Sequence, residues 1–154
     1  MKNTNVNKLL IVGFGSIGKK HFEIISKLYP RIKVGLLRHE MPKKKLNSEK
    51  TTFFSIQDAI EFNPDAAIIA NPSTSHIEIA VTLAKRGVHL LIEKPISNSL
   101  NNVEELIKIC NHKKIKLMTG YNLRFSACLN NLYRLISEEI VGQIYSVHVE
   151  AGQY

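Results

Sequence analysis

Leu9-Leu10-Ile11-Val12-Gly13-Phe14-Gly15-Ser16-Ile17-Gly18 is the stretch that decides the fold. A short, continuous apolar run ending in glycine predicts a strand covered on both faces, as in a parallel sheet. The residues after it predict a helix over Ser16 to Tyr29. Ile17, His21, Ile24, Ile25 and Leu28 recur there at helical spacing, and Pro30 follows the end. Strand, glycine turn and helix in that order form a mould for a dinucleotide pyrophosphate. Gly13 allows the tight turn, Gly15 lets the backbone approach the phosphates, and Gly18 lets helix and strand pack closely. Free backbone N–H groups at the helix start hold the anion. Phe14, Ser16 and Ile17 complete this candidate cofactor-binding loop. The plainer alternative is a tight strand–helix turn without a ligand.

Downstream, the pattern repeats. Val34 to Leu37, Thr52 to Phe54, Ala66 to Ala70, Val88 to Ile92 and Ile115 to Thr119 read as further strands. A short helix over Ser55 to Phe62 opens with Ser55 as its cap, and Asn63-Pro64-Asp65 makes a turn. Ser73 or Thr74 caps a helix to Arg86, which Gly87 stops. Ser99 to His112 is a helix with Val103, Leu106, Ile107 and Cys110 on one face. Lys43 to Lys50 is polar, a loop or a frayed helix. Strands alternating with crossover helices imply an α/β fold of Rossmann type, a doubly wound parallel sheet.

After Gly120 the pattern changes. Ser126 to Glu139 is helical, with Leu129, Leu132, Tyr133 and Ile136 on one face, and Gly142 ends it. Gln143 to Val149 alternates like a half-buried strand. We therefore expect an NAD(P)-binding domain over residues 1–122. Residues 123–154 would be the first helix and strand of a truncated second α/β domain.

Composition narrows the choices. The chain has 154 residues, 44% hydrophobic and 22% charged, enough apolar mass for a real core. The net charge is +8. Its clusters, Lys43-Lys44-Lys45 and Lys113-Lys114 with Lys116, fall in expected loops and read as solvated charge. Aromatics interleaved with basic residues are missing, so nucleic acid is not an expected partner. Cys110 and Cys128 lack metal-type spacing, and we expect no metal and no disulfide framework. The start is polar and its first apolar run is too short for a signal peptide or a membrane span. A cytoplasmic protein is the expectation.

Several residues then carry chemistry. Arg38 stands twenty positions after Gly18, where an acid would bind the adenosine ribose, with His39 and Glu40 beyond it. A cation there can pair with a 2′-phosphate and favours NADP over NAD. In the alternative, Arg38 is a surface residue and Glu40 fills the acid's place. Asn71-Pro72 ends the fourth strand, where open sheets bind ligands, and His76 follows one turn into the helix. His76 is either a cleft wall or a helix-start histidine satisfied by the backbone. Lys94 lies at the carboxyl end of the fifth strand, between Glu93 and Pro95. A lysine partly desolvated in a cleft can accept a hydroxyl proton during hydride transfer, and Glu93 could orient it. Taken alone, Lys94 is an exposed lysine at a strand end.

These phrases together resemble the N-terminal half of the glucose–fructose oxidoreductase / inositol dehydrogenase / rhizopine catabolism (Gfo/Idh/MocA) family. The likeness runs over about residues 8 to 154. It rests on Gly13 to Gly18 with His21, Asn71-Pro72 with His76, and Gly87-Val88-His89-Leu90-Leu91-Ile92-Glu93-Lys94-Pro95. Gly120-Tyr121-Asn122 with Arg124-Phe125, and Gly142-Gln143-Ile144, extend it. The resemblance implies an NAD- or NADP-dependent dehydrogenase in which Lys94 is catalytic, and in which Glu93 and Pro95 frame the cofactor cleft. It implies that Tyr121, Asn122 and Arg124 line the active site or the domain junction. Substrates would be sugars, inositols or sugar nucleotides, and a second domain with an open antiparallel sheet would carry them and form a homo-oligomer. The glycine phrase and Arg38 look like the branch found among bacterial surface-sugar enzymes. Family members are about twice as long, and their paired aspartate and histidine lie in the second domain. No counterpart precedes Tyr154; His148 is not that residue, so the chain alone is expected to bind cofactor without turnover. Two readings compete with this one. The first is a non-catalytic NAD(P)-binding or redox-sensing module. The second is another nicotinamide reductase, of biliverdin or dihydrodipicolinate type.

Overall fold

The opening apolar run forms β1 (Lys8–Val12) near the middle of a parallel sheet in a computed structural model, which describes residues 6–39, 51–150 and 152. The other strands are β2 (Lys33–Leu37), β3 (Thr51–Phe53), β4 (Ala66–Ile69), β5 (His89–Ile92) and β6 (Leu117–Thr119). Their order is β3-β2-β1-β4-β5-β6, and every pairing is parallel. The chain winds outward from β1 to β3, returns past it, and winds the other way from β4. β1 and β4 are neighbours, so the winding reverses between them. The predicted Rossmann-type doubly wound sheet is the one formed.

Side chains of β1 alternate across the sheet. Leu10 and Val12 join one buried cluster with Ala59 of α2 (Ile56–Glu61). The same cluster takes in Ile77, Ala80 and Leu83 of α3 (His76–Lys85), and Leu106 and Cys110 of α4 (Val103–Lys113). Leu9 and Ile11 face the other way, into a cluster that Phe22 and Ile25 of α1 (Ser16–Leu28) pack against. Helices thus cover both faces, as near-continuous apolar strands require.

Several boundaries differ from the sequence reading, each for a local reason. α1 turns Gly18, Phe22 and Ile25 inward, and leaves Ile17, Ile24 and Leu28 at 38%, 43% and 62% exposure. Gly18 sets this rotation, because it lies against the backbone of Gly13. Ser55 caps α2 as expected, accepting the Asp58 N–H at 3.1 Å. The helix placed from Ser73 opens instead as a 3-10 turn, Ser73–Ser75, and neither Ser73 nor Thr74 caps it through its side chain. α4 starts at Val103 and not Ser99, because Asn102 takes the left-handed conformation at φ 60°, which a helix interior does not accommodate. Glu40 and Lys43 to Lys50 lie outside the described residues.

The chain divides into two units, Met1–Gly120 and Tyr121–Tyr154. In the second, a 3-10 turn (Asn122–Phe125) leads into α5 (Ala127–Ser137), where Arg134 and Glu138 pair at 2.7 Å. The strand expected over Gln143 to Val149 is not formed: that segment joins no sheet. A strand needs a neighbour for its N–H and C=O groups, and no other strand stands in this unit among the described residues. Among the described residues no helix is long and apolar enough to cross a membrane, and no acidic, histidine and cysteine side chains gather as a metal site.

Candidate functional site

Because every strand runs the same way, the turns after β1, β2, β4 and β5 emerge on one edge of the sheet. Backbone hydrogen bonds hold these ends in register: Gly13 N–H to Leu37 O at 2.9 Å, Ala70 N–H to Val12 O at 2.8 Å and Glu93 N–H to Ile69 O at 2.9 Å. The glycine turn and Lys94 therefore share that edge.

Each glycine of the turn has a distinct surrounding. Gly13 has φ +86°, and a Cβ there would come within 2.7 Å of Asn71 N and 2.8 Å of Ala70 O. Gly18 is tighter, since its Cβ would sit 2.1 Å from Gly13 O. Gly15 has nothing within 4 Å of where a Cβ would stand. Among the described residues no neighbour requires glycine at position 15, and the space beside it is open to an incoming group. α1 starts there without a side-chain cap and with no acid in its first turn. Its free N–H groups and positive dipole end suit an anion, so the residues present fit a dinucleotide pyrophosphate.

Phe14 also packs within the fold. It meets Phe22 edge to face at 5.9 Å and supports the guanidinium of Arg38, 5.5 Å from its ring centroid. Arg38 is half-buried at the end of β2, with its N–H on Phe53 O, and His39 beyond it is exposed. A cation thus stands beside the glycine turn, on the side where a dinucleotide's adenosine half lies.

On the other side a cavity of about 320 Å³ is lined by Ile17, Ala70, Asn71, Ser73, His76, Glu93, Lys94 and Pro95. It brings together six of the sequence-predicted site residues: Ile17, Asn71, His76, Glu93, Lys94 and Pro95. His76 is 2% exposed. Its Nε2 lies 2.7 Å from Asn71 O and its Nδ1 3.0 Å from Pro95 O. It lines the cavity and stands within hydrogen-bond distance of two backbone carbonyls, to one of which a neutral ring donates its single N–H. It ties the turn after β4 to the turn after β5. Asn71 Oδ1 is buried and accepts no hydrogen bond from the described residues, an exception among native polar atoms. Pro72 is exposed and leads the 3-10 turn, accepting the Ser75 N–H at 3.0 Å.

Lys94 departs from expectation in two ways. It is exposed, so no wall among the described residues desolvates it. Glu93 does not hold its ammonium: one carboxylate oxygen lies 2.7 Å from His21 Nε2, and the other reaches only the Lys94 backbone N–H at 3.4 Å. The Lys94–Pro95 peptide bond is cis. From the sequence, His21 and Gly120 entered as contributors only through the family resemblance, and Ser73 only as a candidate cap beside Asn71-Pro72. The available signal was a histidine on an otherwise apolar helical stripe, which needs a polar partner. Tyr121, Asn122 and Arg124 belong to the second unit, where all three are exposed.

A family model described as an oxidoreductase family with an NAD-binding Rossmann fold, GFO_IDH_MocA, matches residues 7–121. The chain is 28% identical over 145 residues to myo-inositol 2-dehydrogenase of Thermotoga maritima, covering 90% of this chain and 43% of that protein. It is 26% identical to glucose-6-phosphate 3-dehydrogenase of Bacillus subtilis, covering 94% of this chain and 42% of that one. The crystal structure of the WlbA dehydrogenase from Bordetella pertussis, in complex with NADH and UDP-GlcNAcA, superposes with a TM-score of 0.81. Its identity is 24%, over 92% of this chain and 42% of that one. The chain spans less than half the length of the curated relatives it matches.

Proposed function

The chain belongs to the Gfo/Idh/MocA oxidoreductase family, with its NAD-binding Rossmann fold, and from that premise we propose that it is the cofactor-binding part of an NAD(P)-dependent dehydrogenase acting on a sugar, polyol or sugar nucleotide. The observation that carries the proposal is the shared cavity. Ile17, in the first turn of the anion-binding helix, and Lys94 line the same space. Among the described residues the Lys94 ammonium has no ion pair or hydrogen bond, and it is available to a ligand. When bound, a nicotinamide supplies the hydride acceptor. Oxidation of an alcohol would break its C–H bond, the electron pair leaving with the hydrogen, and Lys94, once it has given up its own proton, would take the hydroxyl proton as a neutral amine. His76 and Asn71 line the same cavity.

The cofactor's finer identity is part of the same proposal. The Arg38 guanidinium beside Phe14 can pair with a 2′-phosphate, which favours NADP. So are a carbohydrate-type substrate, a role for Tyr121, Asn122 and Arg124 in the active site, pairing through a second domain, and residence in the cytoplasm. The exposure of Lys94 favours a second reading, a nicotinamide-binding module without catalysis. The test is a titration of the chain with NADPH and NADH. The chain has no tryptophan, so the reduced nicotinamide's own fluorescence reports binding without overlap. Absence of saturable binding for both nucleotides would sink the proposal. Turnover of any polyol by this chain alone would eliminate the non-catalytic reading.

A further inference from the structure

We propose that His21 and Glu93 form a clasp that positions the Lys94 segment against the anion-binding helix, and that Gly120 is glycine to make room for it. This inference rests on the cofactor-binding reading above. Glu93 ends β5 one residue before Lys94. Its carboxylate does not turn toward the lysine's ammonium; it crosses to α1 and meets His21 Nε2 at 2.7 Å. The side chains are 21% and 15% exposed, for His21 and Glu93, so water screens the contact less than it would a surface pair. Below the carboxylate lies the end of β6. A Cβ on Gly120 would stand 3.0 Å from Glu93 Oε2 and 3.1 Å from both Cδ and Oε1. A methyl at position 120 would press on the carboxylate and require it to give by a few tenths of an ångström.

Three elements converge on this carboxylate. α1 carries the pyrophosphate cradle at its start and His21 in its second turn. β5 carries Glu93 and Lys94. β6 ends at Gly120, whose N–H donates to Ile92 O at 2.8 Å. β4 stands between β1, the strand that leads into the cradle, and β5, so sheet pairing joins the cradle to the lysine only through an intermediate strand. The side-chain contact spans that gap. His21 and Glu93 are then positioning residues that act through the backbone of Lys94, and the clasp couples cofactor binding to the placing of the amine.

The test has two arms on the 154-residue chain. In the unliganded protein, amide hydrogen exchange is compared between wild type, His21→Leu and His21→Gln. Leu strands the carboxylate, whereas Gln keeps a neutral donor. With His21→Leu we expect exchange at Glu93, Lys94 and Gly120 to speed up about tenfold, while Leu10 and Ile11 of β1 stay unchanged. His21→Gln should recover most of that protection. In the second arm, His21→Leu and Gly120→Ala should each weaken NADH binding about tenfold, and the double variant by little more than either. Uniform acceleration across all strands, no change at residues 93 to 120, or additive losses in the double variant would overturn the clasp. If wild type itself fails to bind NADH or NADPH, the functional proposal falls, and the exchange arm still judges the clasp.

Discussion

Replacing Gly18 by alanine sets two physical effects of opposite sign against each other. Gly18 lies in the first turn of α1, and in a free helix alanine there would gain about 1 kcal/mol over glycine. In this fold the added methyl would sit 2.1 Å from Gly13 O, about an ångström closer than such atoms come to each other. The obstacle is backbone held by the Gly13 N–H bond to Leu37 O, and it cannot swing aside. α1 must lift from the sheet, loosening the contacts of Phe22 and Ile25 with the Leu9 and Ile11 cluster. Overpacking of that kind costs about 1–3 kcal/mol, and a backbone obstacle belongs at the upper end. We therefore expect Gly18→Ala to lose about 2 kcal/mol net and to lower the melting temperature by roughly 4–8 °C. Urea denaturation followed by circular dichroism measures the first figure and a thermal scan the second. Gly15→Ala is the control: its methyl meets nothing within 4 Å, so stability should barely change. That methyl fills the space a pyrophosphate would approach, so NADH affinity should drop at least tenfold. A Gly18→Ala protein more stable than wild type would show that helix propensity outweighs the contact, and the close packing of α1 on the turn would be refuted.

The other expectations follow from single residues. Lys94→Met should leave NADPH affinity within about threefold, because no partner among the described residues depends on its ammonium, yet lower hydride transfer at least a hundredfold in a protein that turns over substrate, followed at the nicotinamide absorbance. Arg38→Gln should cost NADPH about tenfold in affinity and leave NADH almost unaffected, as paired calorimetric titrations would read; equal losses for both would remove Arg38 as the discriminator. Burial pushes the Cys110 thiol up, so iodoacetamide should label the exposed Cys128 well before Cys110 in the native chain at mildly alkaline pH. The sign for stability follows from the same shift. The folded state holds the thiol proton more tightly, so this contribution is complete below the ordinary thiol range and is lost as pH rises through the raised value.

Much of the fold was legible because its signals are local. A continuous apolar run such as Leu9 to Val12 or Ala66 to Ile69 has no polar face to offer water, so both faces must be covered. Glycine at position 13 announces a left-handed turn wherever the chain goes next. The less legible parts depend on what a residue meets. Asn102 reads as helix, but its neighbours hold it left-handed. Gln143 to Val149 alternates as a strand should, yet a strand is completed only by another strand. Ile17, Ile24 and Leu28 recur with a helical period, yet the stripe that turns inward is set by Gly18 against Gly13. Glu93 beside Lys94 suggests a pair by proximity in sequence, and its partner turned out to lie seventy-two positions away on α1.

The amino-acid order alone was enough to specify a parallel sheet, a phosphate turn after its first strand and a lysine at the rim of its fifth. These follow from period, glycine placement and strand direction, which each segment carries within itself. Only the assembled fold decided that His21 meets Glu93, that His76 comes to lie between two backbone carbonyls and that Gly120 yields its space to a carboxylate. Those are matters of separation through space between segments far apart along the chain, and they exist only once the strands have taken their order.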